Sequence, residues 1–172
     1  MGCDIHMYIE YAKKEDEPSK EIRWRDFGGR INPGRNYRLF GIMSAGVRTD
    51  PEFNYEAKGV PDDLAYASRN DHLMYISDAE NDEYVTLEQA RGWEKYGCKI
   101  INDSNGKPTW VENPDHHSHS WLTTDEYEKA LKFYNHNTDP EWVVPEYEAV
   151  LASMKRFEEL GYNSRIVFWF DN

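Results

Sequence analysis

Apolar and polar residues alternate over residues 3–11. Cys3, Ile5, Met7, Ile9 and Tyr11 fall on one side, and Asp4, His6, Tyr8 and Glu10 on the other. This is the period-2 pattern of a strand with one buried face. A charged turn at Lys13–Lys20 with Pro18 follows, and Glu21–Phe27 can return as the partner of a hairpin. Gly28, Gly29 and Asn32-Pro33-Gly34 mark a loop. Asn36 can cap a short helix with Leu39, Ile42, Met43 and Gly46 at helical spacing, weakened by Gly41 and Gly46. Residues 50–72 read as irregular, with a bend at Gly59-Val60-Pro61, and Leu73–Ser77 as a short strand.

Three later helices carry start and stop signals. Thr86 with Gln89 and Thr123 with Glu126 are capping-box pairs, each followed by an apolar stripe. Gly97 is a natural stop for the first. Pro145 opens the third, whose stripe is Tyr147, Val150, Leu151, Met154 and Phe157, with Gly161 at its end. The chain closes on Arg165–Phe170, whose run from Ile166 has no polar face and reads as a central strand. The pattern predicts an α+β fold of one domain over residues 1–172. Its sheet, mixed or antiparallel, includes the N- and C-terminal strands and is packed by about three helices.

Composition narrows the partners. The net charge is −12, from 20 basic and 32 acidic residues. That disfavours duplex nucleic acid and anionic membrane surfaces. With 15% aromatic residues, the core is expected to rest on Trp, Tyr and Phe. Cys3 and Cys98 suit a reduced compartment. Asp4, His6 and Glu10 interrupt any signal-peptide core, and His6 stands where myristoylation wants Ser or Thr. No apolar run reaches transmembrane length. A cytoplasmic protein is expected; the pattern specifies no oligomeric state.

Two segments carry metal-ligand chemistry. On a strand, Asp4 and His6 project from one face about 6.5–7 Å apart, close enough to converge on one ion; alternatively they belong to a solvent face. Asp115-His116-His117-Ser118-His119-Ser120-Trp121 holds three histidines in four positions. If extended, it puts His117 and His119 on one face with Asp115 and Trp121; alternatively it is a polar loop. Together Asp4, His6, His117 and His119 form a mixed imidazole–carboxylate set suited to a divalent transition metal, Zn or Mn foremost. Cys3 has the wrong strand parity to join them. Asp171 is a further carboxylate on position alone, and His72 and His136, standing singly, read as structural. Arg30, Arg35 and Arg38 lie within nine residues around a Gly-rich loop, with Arg48 further on. Such a loop can bind a phosphate, although no Walker motif is present.

The start Met-Gly-Cys-Asp-Ile-His, Gly34-Arg35-Asn36-Tyr37-Arg38-Leu39-Phe40, Ala45-Gly46-Val47-Arg48, Lys58-Gly59-Val60-Pro61-Asp62 and His117-Ser118-His119-Ser120-Trp121-Leu122-Thr123 resemble a family encoded by phages and some bacteria. The resemblance covers most of residues 1–125. It implies a setting in the infected cell's cytoplasm and brings no activity with it. The residues themselves point to a metal-dependent hydrolase acting on a phosphorylated or nucleotide-like small molecule. Asp4, His6, His117 and His119 would hold the metal, and Arg30, Arg35, Arg38 and Arg48 the phosphate, with Asp115 or Glu10 as proton carrier. The alternative is a non-catalytic binder of a nucleotide signal or a host protein; an acidic decoy of a nucleic-acid-binding partner is a weaker third.

Overall fold

A computed structural model describes residues 2–14, 23–78 and 84–171. The fold is α+β, with two antiparallel sheets and five α-helices. The larger sheet has the order β2-β1-β7-β6, from Arg25–Asp26 (β2), Asp4–Lys13 (β1), Tyr162–Asp171 (β7) and His116–Thr123 (β6). The terminal strands are thus its two central members, paired from Asp4↔Asp171 to Lys13↔Tyr162. Arg25–Asp26 is the expected hairpin return; most of the turn expected at Lys13–Lys20, and Glu21 with it, lie outside the described residues.

One face of this sheet carries the main core. Ile5, Met7, Ile9, Phe168 and Phe170 pack there against α1 (Tyr37–Met43), α4 (Thr124–His136) and α5 (Pro145–Glu159). Each helix begins where its sequence signal stands. The Asn36 side chain accepts from the Leu39 N–H, Thr123 and Glu126 form a complete capping box, and Pro145 opens α5. The capping box at Thr86 and Gln89 likewise opens α3 (Leu87–Glu94).

Three expectations need correction. The sequence predicts one sheet; a second exists, ordered β3-β5-β4, from Leu73–Tyr75, Pro108–Glu112 and Ile100–Asn102. Residues 50–72 are not irregular throughout: Tyr66–His72 is a helix, α2. The polar side of β1 is not a solvent face: His6 is 5% exposed and Glu10 0%.

These corrections share a cause. Ala65, at the start of α2, has no capping side chain. Its free N–H groups are satisfied from elsewhere: the Asp26 carboxylate accepts from Ala67 and Ser68, and Glu10 accepts from Ala65. The helix is thereby tied onto the second face of β1 and β7, where Leu64 and Ala67 pack on Tyr8, Val167 and Trp169. Glu10 is balanced there by Arg165, whose Nη2 lies 2.6 Å from Oε2. Burial pushes the Glu10 carboxyl up, against the opposing pull of Arg165. Glu10 is therefore a buried tie, not the proton carrier expected. Among the described residues, no helix is long and apolar enough to cross a membrane.

The Glu10–Arg165 pair gives a stability test. Breaking one side of a buried pair leaves an uncompensated charge and costs about 3–5 kcal/mol, whereas replacing both partners with apolar residues is often nearly neutral. Arg165→Met should lower stability by that amount in urea titration. Glu10→Leu with Arg165→Met should recover most of the loss.

Candidate metal centre

On a regular strand, residues three apart face opposite ways. In β6, His116 and His119 face the same way because the ladder is interrupted between them. His117 pairs with Phe170 and Ser120 with Phe168, so Ser118 and His119 together stand opposite Trp169. This is a β-bulge, two residues against one. Ser118 takes up the extra length with φ of +50°, an uncommon conformation for a residue other than glycine. Three contacts hold it in place: Ser44 donates to its carbonyl, its Oγ meets His117 Nδ1 at 3.0 Å, and the Gly59 N–H bonds the next carbonyl, of His119.

The bulge re-sorts the histidines. His117 turns to the Phe170 side of the sheet, with ring centroids 6.1 Å apart, and shares no face with His119. His116 and His119 turn to the Trp169 side and meet His72 from the end of α2. The three histidines offer ligand nitrogens that all lie within 4.8 Å of one another. The expected partnership of His117 with His119 is thus replaced by His72, His116 and His119. A tetrahedral ion at about 2.0–2.1 Å from each nitrogen would require them roughly 3.3 Å apart, so the rings would have to move inward to hold one.

The nitrogens there are short of partners. His72 is fully buried, and neither of its ring nitrogens makes a hydrogen bond; His116 Nδ1, His119 Nε2 and the Trp169 indole N–H are also buried and unbonded. Glu112, at the end of β5, is nearest, with Oε1 3.8 Å from His72 Nε2. Burial lowers the His119 pKa to about 3, and the neighbouring His72 adds to the effect. Burial likewise lowers His116 to about 4, with the charge on His6 reinforcing it. Both rings are therefore neutral at physiological pH, the form in which imidazole binds a metal.

His6 is different in kind. Its Nδ1 faces Asp71 and its Nε2 faces Asp171, each at 2.9 Å. A carboxylate on both nitrogens favours the doubly protonated ring. Burial opposes this charge, but the two hydrogen bonds outweigh it and the pKa is raised. Asp71 and Asp171 are correspondingly held below the usual carboxylate range, despite burial. The His6 ring lies 5.0 Å from that of His116, so it borders the three-histidine cluster without joining it.

The other expected residues disperse. Asp4 is exposed and engages Arg35, at 2.6 Å from Nε, instead of His6. Asp115 is exposed in the turn before β6. Arg30 reaches the site, with Nη1 3.2 Å from His6 Nδ1. Arg38 instead donates to the Asn137 carbonyl, and Arg48 lies over the Tyr37 ring at 4.0 Å. The four arginines form no single phosphate cradle. His72 reads as structural from sequence because no other histidine stands near it, and Asp71 and Glu112 belong to no metal-ligand spacing there. No family model matches the chain, and no curated protein or solved structure does. The site is therefore read from its own chemistry.

The depressed imidazoles predict a pH dependence. Unfolded histidine titrates near 6.5, whereas folded His116 and His119 titrate at about 4 and about 3. Between these values the unfolded chain binds more protons, so stability falls as pH falls through that window, by up to about 1.4 kcal/mol per pH unit per group. His6 has the opposite sign: its contribution is present in acid and is lost as pH rises through its raised pKa. Chelator-treated protein should lose urea resistance steadily from pH 6.5 to 4. A His116→Asn, His119→Asn variant should show a shallower slope over the same range.

Proposed function

We propose that this protein is a metal-dependent hydrolase of a phosphorylated or nucleotide-like small molecule, with a divalent transition metal held by His72, His116 and His119. The observation that carries the proposal is the convergence of three imidazoles, His72 buried and His116 and His119 half-buried, with four buried ring nitrogens that lack hydrogen-bond partners. A buried polar group left unsatisfied costs about 1–3 kcal/mol, and an ion at their centre removes that cost. Three nitrogen ligands suit zinc and leave a coordination position for water. A metal in such a site lowers the pKa of water towards neutrality and polarises a substrate oxygen.

The surrounding residues supply the remaining roles. Glu112, beside His72, is placed to accept a proton from water. Contacts to His72 and to the Lys99 N–H hold its carboxyl low, despite burial, so it is ready in the basic form. His6 fixes a positive charge next to His116 and is steadied by Asp71 and Asp171. Arg30, beside His6, extends that positive field towards an anionic substrate. The two free cysteines agree with a reducing, cytoplasmic setting.

Elemental analysis of untagged protein should find about one equivalent of zinc or manganese. Loss of even an indirect support of a metal ligand weakens binding about 10–100-fold, so His72→Ala with His119→Ala should weaken it by at least the upper figure. His117→Ala should retain the metal. Equal, weak binding by wild type and the double variant would remove the site. Turnover of a panel of nucleotides and cyclic dinucleotides, read by chromatography, should require the metal. A tightly held metal with every substrate returned intact would instead make Glu112 a fourth ligand of a closed structural site.

A further inference from the structure

The small sheet has two unlike faces. Met74, Val111 and Ile100 turn towards α3 and form a minor core with Ala90 and Val85. Leu73, Tyr75, Trp110 and Glu112, in register as Leu73↔Glu112 and Tyr75↔Trp110, turn the other way. That second face borders two cavities, one of about 420 Å³ and one of about 760 Å³. They share Arg69, Leu73 and Trp110 as a common wall. Glu112 lines the smaller cavity, and Asp71, the partner of His6, lines the larger. Glu112, 3.8 Å from His72, and Asp71, 2.9 Å from His6, are the wall residues that connect the two cavities to the histidines.

The walls combine two kinds of recognition. Tyr75 is 40% exposed and stands edge-on to Trp110, with centroids 5.2 Å apart and planes at 77°. A second edge contact to Tyr84, at 5.6 Å, fixes it from the other side. Rings braced in this way offer a rigid surface for stacking at small entropic cost. The second kind is charge. Of the two cations on these walls, Lys99 is paired with Asp62 at 3.0 Å. Arg69 is exposed and pairs with no carboxylate among the described residues, in a chain of net charge −12. An unpaired guanidinium beside a stacking surface suits a planar ring that carries a phosphate.

We infer that this sheet face is a mononucleotide subsite, in which the base stacks on Tyr75 with Trp110 edge-on beside it and Arg69 binds the phosphate. Trp110 and Glu112 lie two residues apart on one strand face, about 6.8 Å, which is close to the span of one ribose. The phosphate end therefore lies towards Glu112 and His72. The inference rests on the hydrolase reading for its orientation, with the ester directed at the metal, but not for binding itself.

The test is calorimetric titration of untagged full-length protein with AMP, its stable methylene phosphonate analogue, adenosine and ribose 5-phosphate. The nucleotide and its analogue should bind at least tenfold more tightly than either fragment. Arg69→Gln should weaken AMP and ribose 5-phosphate by about 10–100-fold and leave adenosine unchanged. Tyr75→Leu should weaken AMP and adenosine by about 5–100-fold and leave ribose 5-phosphate unchanged. Both positions are exposed, and an unaltered thermal melt confirms that each variant is folded. AMP binding that is absent in wild type, or equal in wild type and both variants, overturns the subsite. The hydrolase reading fails separately: AMP then binds as described while metal is absent or substrates are returned intact.

Discussion

Burial of the two central strands on both faces is the constraint on which the rest of the structure depends. A strand with one wet face can leave its polar side chains to water. Once α2 and the segment before it cover β1 and β7, the polar groups on the second face need partners within the protein. Glu10 takes Arg165, and Tyr8 donates to Asp71. His6 sits between Asp71 and Asp171. The same partners fix the cover itself, because Glu10 and Asp26 accept the N–H groups at the start of α2. Once its first turn is held there, the last turn of α2 delivers Asp71 and His72 above Trp169.

Against that accounting the three-histidine cluster stands out. His6, Tyr8 and Glu10 beside it have partners, yet His72, His116 and His119 are left with bare nitrogens near one another, as is the Trp169 indole N–H. An apolar side chain at any of the three positions would pack without that cost. The neighbouring His6 sharpens the contrast. Four histidines surround Trp169, and their environments push them apart: His6 is raised by two carboxylates, and His116 and His119 are lowered by burial, with His6 adding to the effect on His116 and His72 to that on His119. Groups of one residue type driven to opposite protonation states are a recurrent feature of sites that move protons.

Local signals in the sequence were reliable where the structure is local. The alternation at residues 3–11, the capping boxes at Thr86 and Thr123, Pro145 and the apolar run at 166–170 all mark elements that form as expected. Long-range features were not legible. The caps of α2 come from Glu10 and Asp26, 55 and 41 residues away from the N–H groups they accept, so nothing near Ala65 announces a helix. His72 looked isolated for the same reason: its companions arrive from β6. Strand parity puts Cys3 on the core face and His6 on the other, as the structure has them, although His6 lies beside the cluster and not in it. Parity failed at His117 because it assumed an unbroken ladder, and no glycine marks the break.

That break is where fold and site become one problem. A serine at φ of +50° is unfavourable unless its surroundings fix it. Here the segment after α1 does so, with Ser44 on the Ser118 carbonyl, Gly46 closely facing its Oγ, and Lys58 and Gly59 bonding the following residues. Gly46, itself at φ of +110°, leaves room that a Cβ would take, since such an atom would lie 2.8 Å from Ser118 Oγ. Without the bulge, His116 and His119 would point to opposite sides of the sheet, and His72 would meet at most one of them. The segment at 44–59 therefore does more than connect α1 to α2. It holds β6 in the one irregular register that gathers three imidazoles, so the backbone irregularity and the unsatisfied nitrogens are two results of the same arrangement.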